Sequence, residues 1–454
     1  MSQLLRIAVF VPFLNFWSGF LWGQNEGNIW YFGVNAGIDF NSGEPVPLVN
    51  GQIPISEGCS SISDDSGNLL FYTNGVDIWN KNHEIMTNGS GIKGGLSITQ
   101  SAIIIPKPGS STRYFVITTN PTQGLEYSEI DISLSSGLGE VTANKNILIH
   151  SNSSEKLTAV RHQNGIDCWI ISHEIGTNNF NVFLVSPTGI TLTPVISSIG
   201  SVISTDGEGY MKASIDGSLL ALANLGMDEV QIFDFDNTNG TINNPKTISG
   251  FLYYGPYGIE FSPSCRLLYV SDANDSLSNI YQYDLTTADI SGSSVLVTTL
   301  NGYTGAMQLG PNGKIYITRT DSSSLSVINS PNIYGTGCGF ILNGIYLGGK
   351  HSFIGLPSFV NDIYNQVCEV NEIQNFEISI FPNPTNDLLT IQSNFSDNLD
   401  FYIFSSQGQL VYNKKEMNSS IHLNTESFMN GTYLVEIHLN NSPTKIIKKL
   451  IINH

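Results

Sequence analysis

Short runs of Val, Ile, Leu, Phe and Tyr, broken by Gly, Asn, Asp and Pro, recur along most of the chain. One arrangement repeats: an apolar run, a turn, then a run rich in aromatic and β-branched residues. It reads "ISDDSGNLLFYTN" from Ile62, "IPKPGSSTRYFVITT" from Ile105, "VRHQNGIDCWIIS" from Val160, "ASIDGSLLALAN" from Ala213, "FSPSCRLLYVSD" from Phe261 and "LGPNGKIYITRT" from Leu309. Each predicts a strand, a tight turn and a second strand. The turn glycines Gly67, Gly109, Gly165, Gly217 and Gly313, with Ser264-Cys265 in the remaining slot, stand 42 to 56 residues apart. That spacing belongs to propeller blades or solenoid units. A second pair of strand-like runs follows each hairpin, such as "EVQIFDFD" from Glu229 and "NIYQYDLTT" from Asn279, which fills a four-stranded blade. The Ser264-Cys265 turn lacks the Asp-Gly or Asn-Gly of its siblings and is expected to differ in type.

Six repeats are complete, and a seventh is split between the two ends of the region. "FIGLPSFV" from Phe353 reads as an innermost strand with no hairpin after it, whereas "NIWYFG" from Asn28 and "AGIDFNSG" from Ala36 read as later strands with no inner strand before them. Joined, they make one blade and close the ring, which hides strand edges that would otherwise pair with other chains. The fold class predicted is therefore all-β, a seven-bladed propeller over residues 24–364, with six blades as the fallback. Residues 365–375 form a polar linker. Residues 376–454 carry short alternating strands with "SSQGQ" and "LNNS" turns, which suits a small immunoglobulin-like β-sandwich.

Composition agrees: Gly, Asn, Ser, Tyr and Phe are abundant and only 13% of residues are charged. The formal charge of -19 repels polyanions and argues against a nucleic-acid partner. Residues 1–23 have one early cation, Arg6, then an apolar run interrupted by Pro12 and Asn15, as a removed signal peptide would. No later stretch is apolar and long enough for a transmembrane anchor. Of the five cysteines, Cys59 and Cys168 fall in strand patterns and are expected to be buried thiols. Cys338 and Cys368 are expected to pair in a disulfide, and Cys265 remains.

Two stretches resemble known families. "FPNPTNDLLTI" with Pro382, Asn383 and Pro384, "IFSSQGQLVY" with Gly408, and "FMNGTYLVEI" with Gly431 and Tyr433 are followed by a terminal strand carrying Lys448 and Lys449. This ordered set resembles the type A C-terminal sorting domain of the type IX secretion system. The resemblance implies export across both membranes of a Gram-negative bacterium, with the type IX secretion machinery as partner and a secreted or cell-surface destination. "WYFGVNAGIDF", "SEGCSSISDDSGNLLFYTNG", "KLTAVRHQNG", "PYGIEFSP" and "GLPSFV" resemble propeller repeat modules of large surface proteins in such bacteria. That likeness speaks to fold and not to activity.

Signatures of nucleophilic hydrolases, zincins and phosphate-binding loops are missing, and "HEIG" at His173 lacks a second histidine at helical spacing. No cofactor or metal is expected. The loops "DFDNTNG" from Asp234 and "SDANDS" from Ser271 gather oxygen donors that would suit a structural Ca²⁺, although Asp and Asn are also ordinary turn residues. Propellers commonly bind on the face reached by loops leading into the innermost strands. Candidates near those positions are Glu57, Gln100, Arg161, His162, Lys212, Tyr257, Glu260, Tyr303, Gln308 and His351, with Tyr210 beside them. Rings to stack on and polar groups around them suit a glycan, and under the hydrolase alternative Glu57 and Glu260 would be the two acids that glycoside hydrolysis needs, provided the fold brings them across one cleft. The leading expectation is an exported binding module that engages an extracellular glycan or protein in adhesion or recognition. The alternatives are an extracellular polysaccharide hydrolase or lyase, and a structural surface or motility-associated component.

Overall fold

The computed structural model describes residues 25–54, 57–203, 207–252, 255–364, 378–393, 399–417, 420–439 and 445–454. The expected signal peptide over residues 1–23, the expected linker over residues 365–375 and Cys368 lie outside the described residues. No helix among the described residues is long and apolar enough to cross a membrane.

Seven antiparallel units follow one another around a ring. Blade 1 has three strands, Ile29–Phe32, Ala36–Asp39 and Val46–Leu48. The inner strands of blades 2 to 7 are Ser60–Ser63, Ala102–Pro106, Leu157–Arg161, Met211–Ala213, Pro256–Phe261 and Thr304–Leu309. Each continues outward through antiparallel partners, and a parallel bridge from Glu140 to Thr87 joins blades 2 and 3 at their rims. Inner strands are buried because neighbouring blades cover both faces, and that of blade 3, Ala102–Pro106, reads as a near-continuous apolar run. Between blades the core is aliphatic and aromatic, with Trp30, Phe71, Tyr72, Phe180, Phe233 and Tyr316 wholly out of water.

The hairpin turns explain the repeat. Gly67, Gly165, Gly217 and Gly313 hold φ of 84°, 70°, 67° and 74°, and each amide donates to the carbonyl three residues earlier. Glycine alone takes this left-handed conformation without steric cost. Cys265, expected to mark a different turn, adopts φ 57° and makes the same bond to Ser262 (2.9 Å). The departing hairpin is instead that of Gly109, where Ser110 makes the closing bond to Lys107. The expected Cys338–Cys368 disulfide is also absent: Cys338 is a buried free thiol and Cys265 is the disulfide-bonded cysteine. Cys59 and Cys168 are buried and free, as their strand positions predict.

The segment Ser352–Tyr364 closes the ring. Antiparallel bridges of His351 to Val34 and of Ser352 to Ser322 start it between blades 1 and 7. Ala306 then donates to Ile354 (2.8 Å), and Pro357 bridges in parallel to Cys59 of blade 2. It therefore occupies the innermost place of blade 1, as the split repeat predicts, but as isolated bridges and not as a regular strand. Beyond Pro357 it leaves that place and crosses the channel. Val360 bridges to Ala159 of blade 4, and the Asn361 side chain donates to the carbonyls of Ser214 and Ile215 next to blade 5 (3.0 Å each). Leu356, Phe359, Val360, Ile363 and Tyr364 are buried by this crossing, at roughly 1.5–3 kcal/mol each.

Residues 378–454 form two further sheets. Ile378–Phe381, Leu388–Ser393 and Ser420–Asn424 make one. Leu410–Met417, Leu399–Ser405, Gly431–Leu439 and Lys445–Ile452 make the other, in that spatial order. Leu389, Ile391, Phe401, Ile403, Val435, Leu450 and Ile452 fill the space between them.

A Cβ at Gly355 would stand 1.4 Å from the carbonyl oxygen of Glu57. Backbone must shift to relieve that overlap, so Gly355→Ala is expected to destabilise the propeller by about 2–4 kcal/mol. Urea denaturation of the variant checks this, and an unchanged midpoint would show that the strap is not closely seated.

Candidate functional site

The inner strands run in parallel around the channel, which gives it a front, where they begin, and a back, where they end. This direction sorts the candidate residues into two groups.

At the front, Glu57 precedes the inner strand of blade 2. Its carboxylate accepts from Ser97 Oγ (2.8 Å) and from the Tyr257 hydroxyl (3.4 Å). Tyr257 meets Tyr210 and Tyr303 edge-on, with ring centroids 5.7 and 5.6 Å apart. Burial pushes the Glu57 carboxyl up to about 7; Glu155 and Glu208 add repulsion, while the bonds from Ser97 and Tyr257 oppose the rise. Glu155 is likewise raised, chiefly by burial, although its Oε2 accepts from both the Thr99 amide (2.8 Å) and hydroxyl (2.7 Å). Beneath them lies Lys156, wholly buried and bonded to backbone carbonyls. Glu155, Lys156 and Glu208 were not singled out from the sequence. Their signal was position: they stand immediately before inner strands, as Glu57 does.

Gln100 also belongs to the front but serves the ring. Its Oε1 accepts from the Met211 amide (2.7 Å) and its Nε2 donates to the Met211 carbonyl (3.0 Å), so it ties blade 3 to blade 5. Only 1% of it is exposed. Tyr210 is buried in the channel wall. His351 sits on the rim, paired with exposed Asp321 (Nδ1 to Oδ1, 2.7 Å).

Five candidates lie at the back. Lys212 Nζ donates to Glu260 Oε2 (3.0 Å) and to Gln308 Oε1. Glu260 also accepts from the Phe261 and Leu309 amides. The strap covers this group and leaves a cavity of about 40 Å³, room for a water or two and not for a sugar. Arg161 Nε is paired with Asp362 of the strap (3.0 Å). His162 stacks on Trp169 in the hairpin beyond it, with centroids 5.3 Å apart. Glu57 and Glu260 therefore stand at opposite ends of the channel, Glu260 neutralised by Lys212, and do not form the expected acid pair. Sequence placed these residues near strands, but five of them are at the far ends.

The two loops considered for Ca²⁺ use their oxygens locally. Asp236 accepts from the Thr238 amide and the Asn239 side chain, Asp234 from Asn244, and Asp272 from the Leu252 amide. Among the described residues no three His, Cys, Asp or Glu side chains are grouped to hold a metal ion.

In the C-terminal unit the Pro-Asn-Pro motif acts through Asn383. Its Nδ2 donates to the Lys449 carbonyl (2.8 Å) and its Oδ1 accepts from the Ile451 amide (2.9 Å), so one side chain substitutes for a neighbouring strand. Both Phe381-Pro382 and Asn383-Pro384 are cis. Gly408 (φ 78°) closes the Ser405–Gln409 turn, and Gly431 opens the strand that carries Tyr433. The Tyr433 hydroxyl donates to Met429 (2.8 Å). Lys448 and Lys449 are exposed on the last strand.

Comparison with known proteins assigns the two regions separately. Residues 379–453 match the secretion system C-terminal sorting domain. Residues 210–327, which span blades 5 and 6 and most of blade 7, match the family described as lactonase, 7-bladed beta-propeller. No curated protein matches the chain. Similar solved structures include a putative 6-phosphogluconolactonase from Bacteroides uniformis, 14% identical with a TM-score of 0.47, covering 71% of this chain and 98% of that one. The Dos1 propeller is 11% identical with a TM-score of 0.45, over 82% and 91% of the two chains. The periplasmic gluconolactonase PpgL of Pseudomonas aeruginosa is 13% identical with a TM-score of 0.36, over 80% and 94%. All three TM-scores lie below 0.5, so these likenesses carry no weight for activity. The sorting domain marks the chain for export by type IX secretion, to the surface or surroundings of a Gram-negative bacterium.

Two outcomes follow from these contacts. Glu57 is raised from 4.5 to about 7 in the folded protein, so the stability tied to its protonated form is complete below 4.5 and is lost as pH rises through 7. Glu57→Gln should therefore stabilise the protein at pH 8 by on the order of 1–3 kcal/mol and have little effect at pH 4; paired urea titrations at the two pH values measure it. Asn383→Ala removes both bonds to the terminal strand, so the C-terminal sheets should lose about 1–2 kcal/mol and the exported fraction should fall while the propeller's own melting is unchanged.

Proposed function

We propose that the exported propeller is a binding module whose ligand surface is the front mouth, built around Glu57 and Tyr303, with the buried Tyr257 beneath them holding Glu57. One observation carries this reading. The strap plugs the back of the channel and confines Lys212, Glu260 and Gln308 beneath it, so the polar and aromatic groups that remain within a ligand's reach are those of the front. Tyrosine edges and a carboxyl suit a sugar or a protein side chain. Export by the sorting domain supports a ligand met outside the cell, and adhesion or recognition is the role such a surface fits.

The lactonase match of blades 5 to 7 favours a second reading. A carboxyl raised to about 7 is suited to take a proton from water near neutral pH. Glu57 would then act as a general base on the ring ester of a lactone.

Incubating the exported chain with an array of bacterial, algal and host polysaccharides and matrix proteins separates these readings when retention and fragmentation are both scored. Retention without fragmentation is expected, and Tyr303→Ala should weaken it by up to about tenfold. Fragmentation of a polysaccharide would overturn the binding reading. Turnover of a lactone panel that falls by about a hundredfold or more in Glu57→Gln would replace it with the second, and silence in both assays would leave a structural surface role.

A further inference from the structure

The front mouth contains a buried cation that the proposed ligand surface does not use. Lys156 is wholly buried one residue before the inner strand Leu157–Arg161. Its Nζ donates to the carbonyls of Glu208 (3.0 Å), Gly209 (2.5 Å) and Ala223. An ammonium has three N–H donors and no acceptor, so three carbonyls are its full complement. A neutral amine has two N–H donors and a lone pair, and that lone pair would face the third carbonyl oxygen.

Two of these carbonyls belong to a segment with unusual backbone freedom. Glu208 stands between Gly207 (φ 85°) and Gly209 (φ 103°). A Cβ on Gly207 would lie 2.9 Å from Ser154 Cβ, and one on Gly209 would lie 2.7 Å from the Ala223 carbonyl oxygen. The segment is therefore seated closely while its two glycines keep conformations other residues resist. The Gly209 amide adds a bond to Thr99 Oγ1 (3.3 Å), the hydroxyl that itself donates to Glu155. The Glu208 side chain is exposed.

We propose that Lys156 is a protonation-controlled latch on the mouth: as an ammonium it pins Gly207–Gly209 and holds Glu208 beside Glu57 and Glu155, and as an amine it releases them. The proton passes to solvent, and the two glycines let Glu208 turn away. The titratable groups facing Lys156 are Glu155 from its own segment, Glu208 from the segment it holds, and His173 from the adjacent strand. Burial lowers the lysine to about 7, and both glutamates oppose that fall. His173, which burial holds at about 4, is neutral throughout this range. The three carbonyls also favour the ammonium, so release begins at or above neutrality and grows with pH. The latch concerns the same mouth as the binding reading but is read without any ligand, so either can fail alone.

Hydrogen–deuterium exchange of the full chain, corrected for the intrinsic pH dependence of exchange, tests it. The probes are the Gly209 and Tyr210 amides, with the blade 5 strand Leu219–Asn224 as internal reference. Below the midpoint the neutral fraction grows about tenfold per pH unit, and above it the neutral form dominates and the fraction levels off. Protection at Gly209 and Tyr210 should then fall about tenfold or more between pH 6 and pH 9, while Leu219–Asn224 holds. Lys156→Met should leave the segment unprotected at both pH values. Should that variant fail to fold, the wild-type comparison decides. Protection independent of pH, a loss shared equally by Leu219–Asn224, or wild-type protection in folded Lys156→Met would each overturn the latch.

Discussion

Ring closure in this propeller passes through a point where there is no room for a side chain. The Cα of Gly355 packs against the carbonyl of Glu57, which brings the end of the propeller sequence beside the strand that follows its first blade. From there the strap pairs with Cys59, crosses to Ala159 and anchors on Ser214 and Ile215. It thus links blades that are far apart in the ring, which strand pairing within a blade cannot do. Both ends of the channel take their character from it. At the back it covers the Lys212–Glu260 pair, and at the front it abuts the backbone of the residue whose carboxyl is most perturbed.

The front is organised by side chains that substitute for backbone. Gln100 bonds to the Met211 amide and carbonyl as a strand would, and Thr99 joins Glu155 to Gly209. Lys156 completes the set through three carbonyls. Such contacts place three glutamates near one another, with the one buried cation already satisfied. Burial raises Glu57 and Glu155 toward their neutral forms, while Glu208 is exposed to water. At the back the polarity is compensated internally: Glu260 has Lys212 and two backbone amides, and Arg161 has Asp362. One end is therefore electrostatically open and the other closed.

The C-terminal unit uses the same device. Asn383 bonds to the Lys449 carbonyl and the Ile451 amide, so the Pro-Asn-Pro motif fastens the last strand from outside its own sheet. The motif's asparagine thereby holds the terminal strand in place.

Strands, turns and their number were legible in the sequence because they depend on neighbours along the chain. An apolar run with a glycine at a left-handed position forms a hairpin wherever it stands, and the repeat length set the blade count. Even the split seventh blade could be inferred, since an inner strand without a hairpin and a hairpin without an inner strand imply each other. The sorting motifs were legible for the same reason. Local identity misled at Cys265, which takes the left-handed turn a glycine would have taken, and at Cys338, whose burial leaves it unpaired. Tertiary structure alone decided which end of a strand a residue occupies. Arg161 follows Leu157 by four positions, a rise of about 13 Å, enough to move it from the mouth to the plug. Glu57 and Glu260 parted in the same way. Glu155, Lys156 and Glu208 met because strands of different blades converge on one axis, and that convergence arises from ring closure, a property of the whole chain that no short segment encodes.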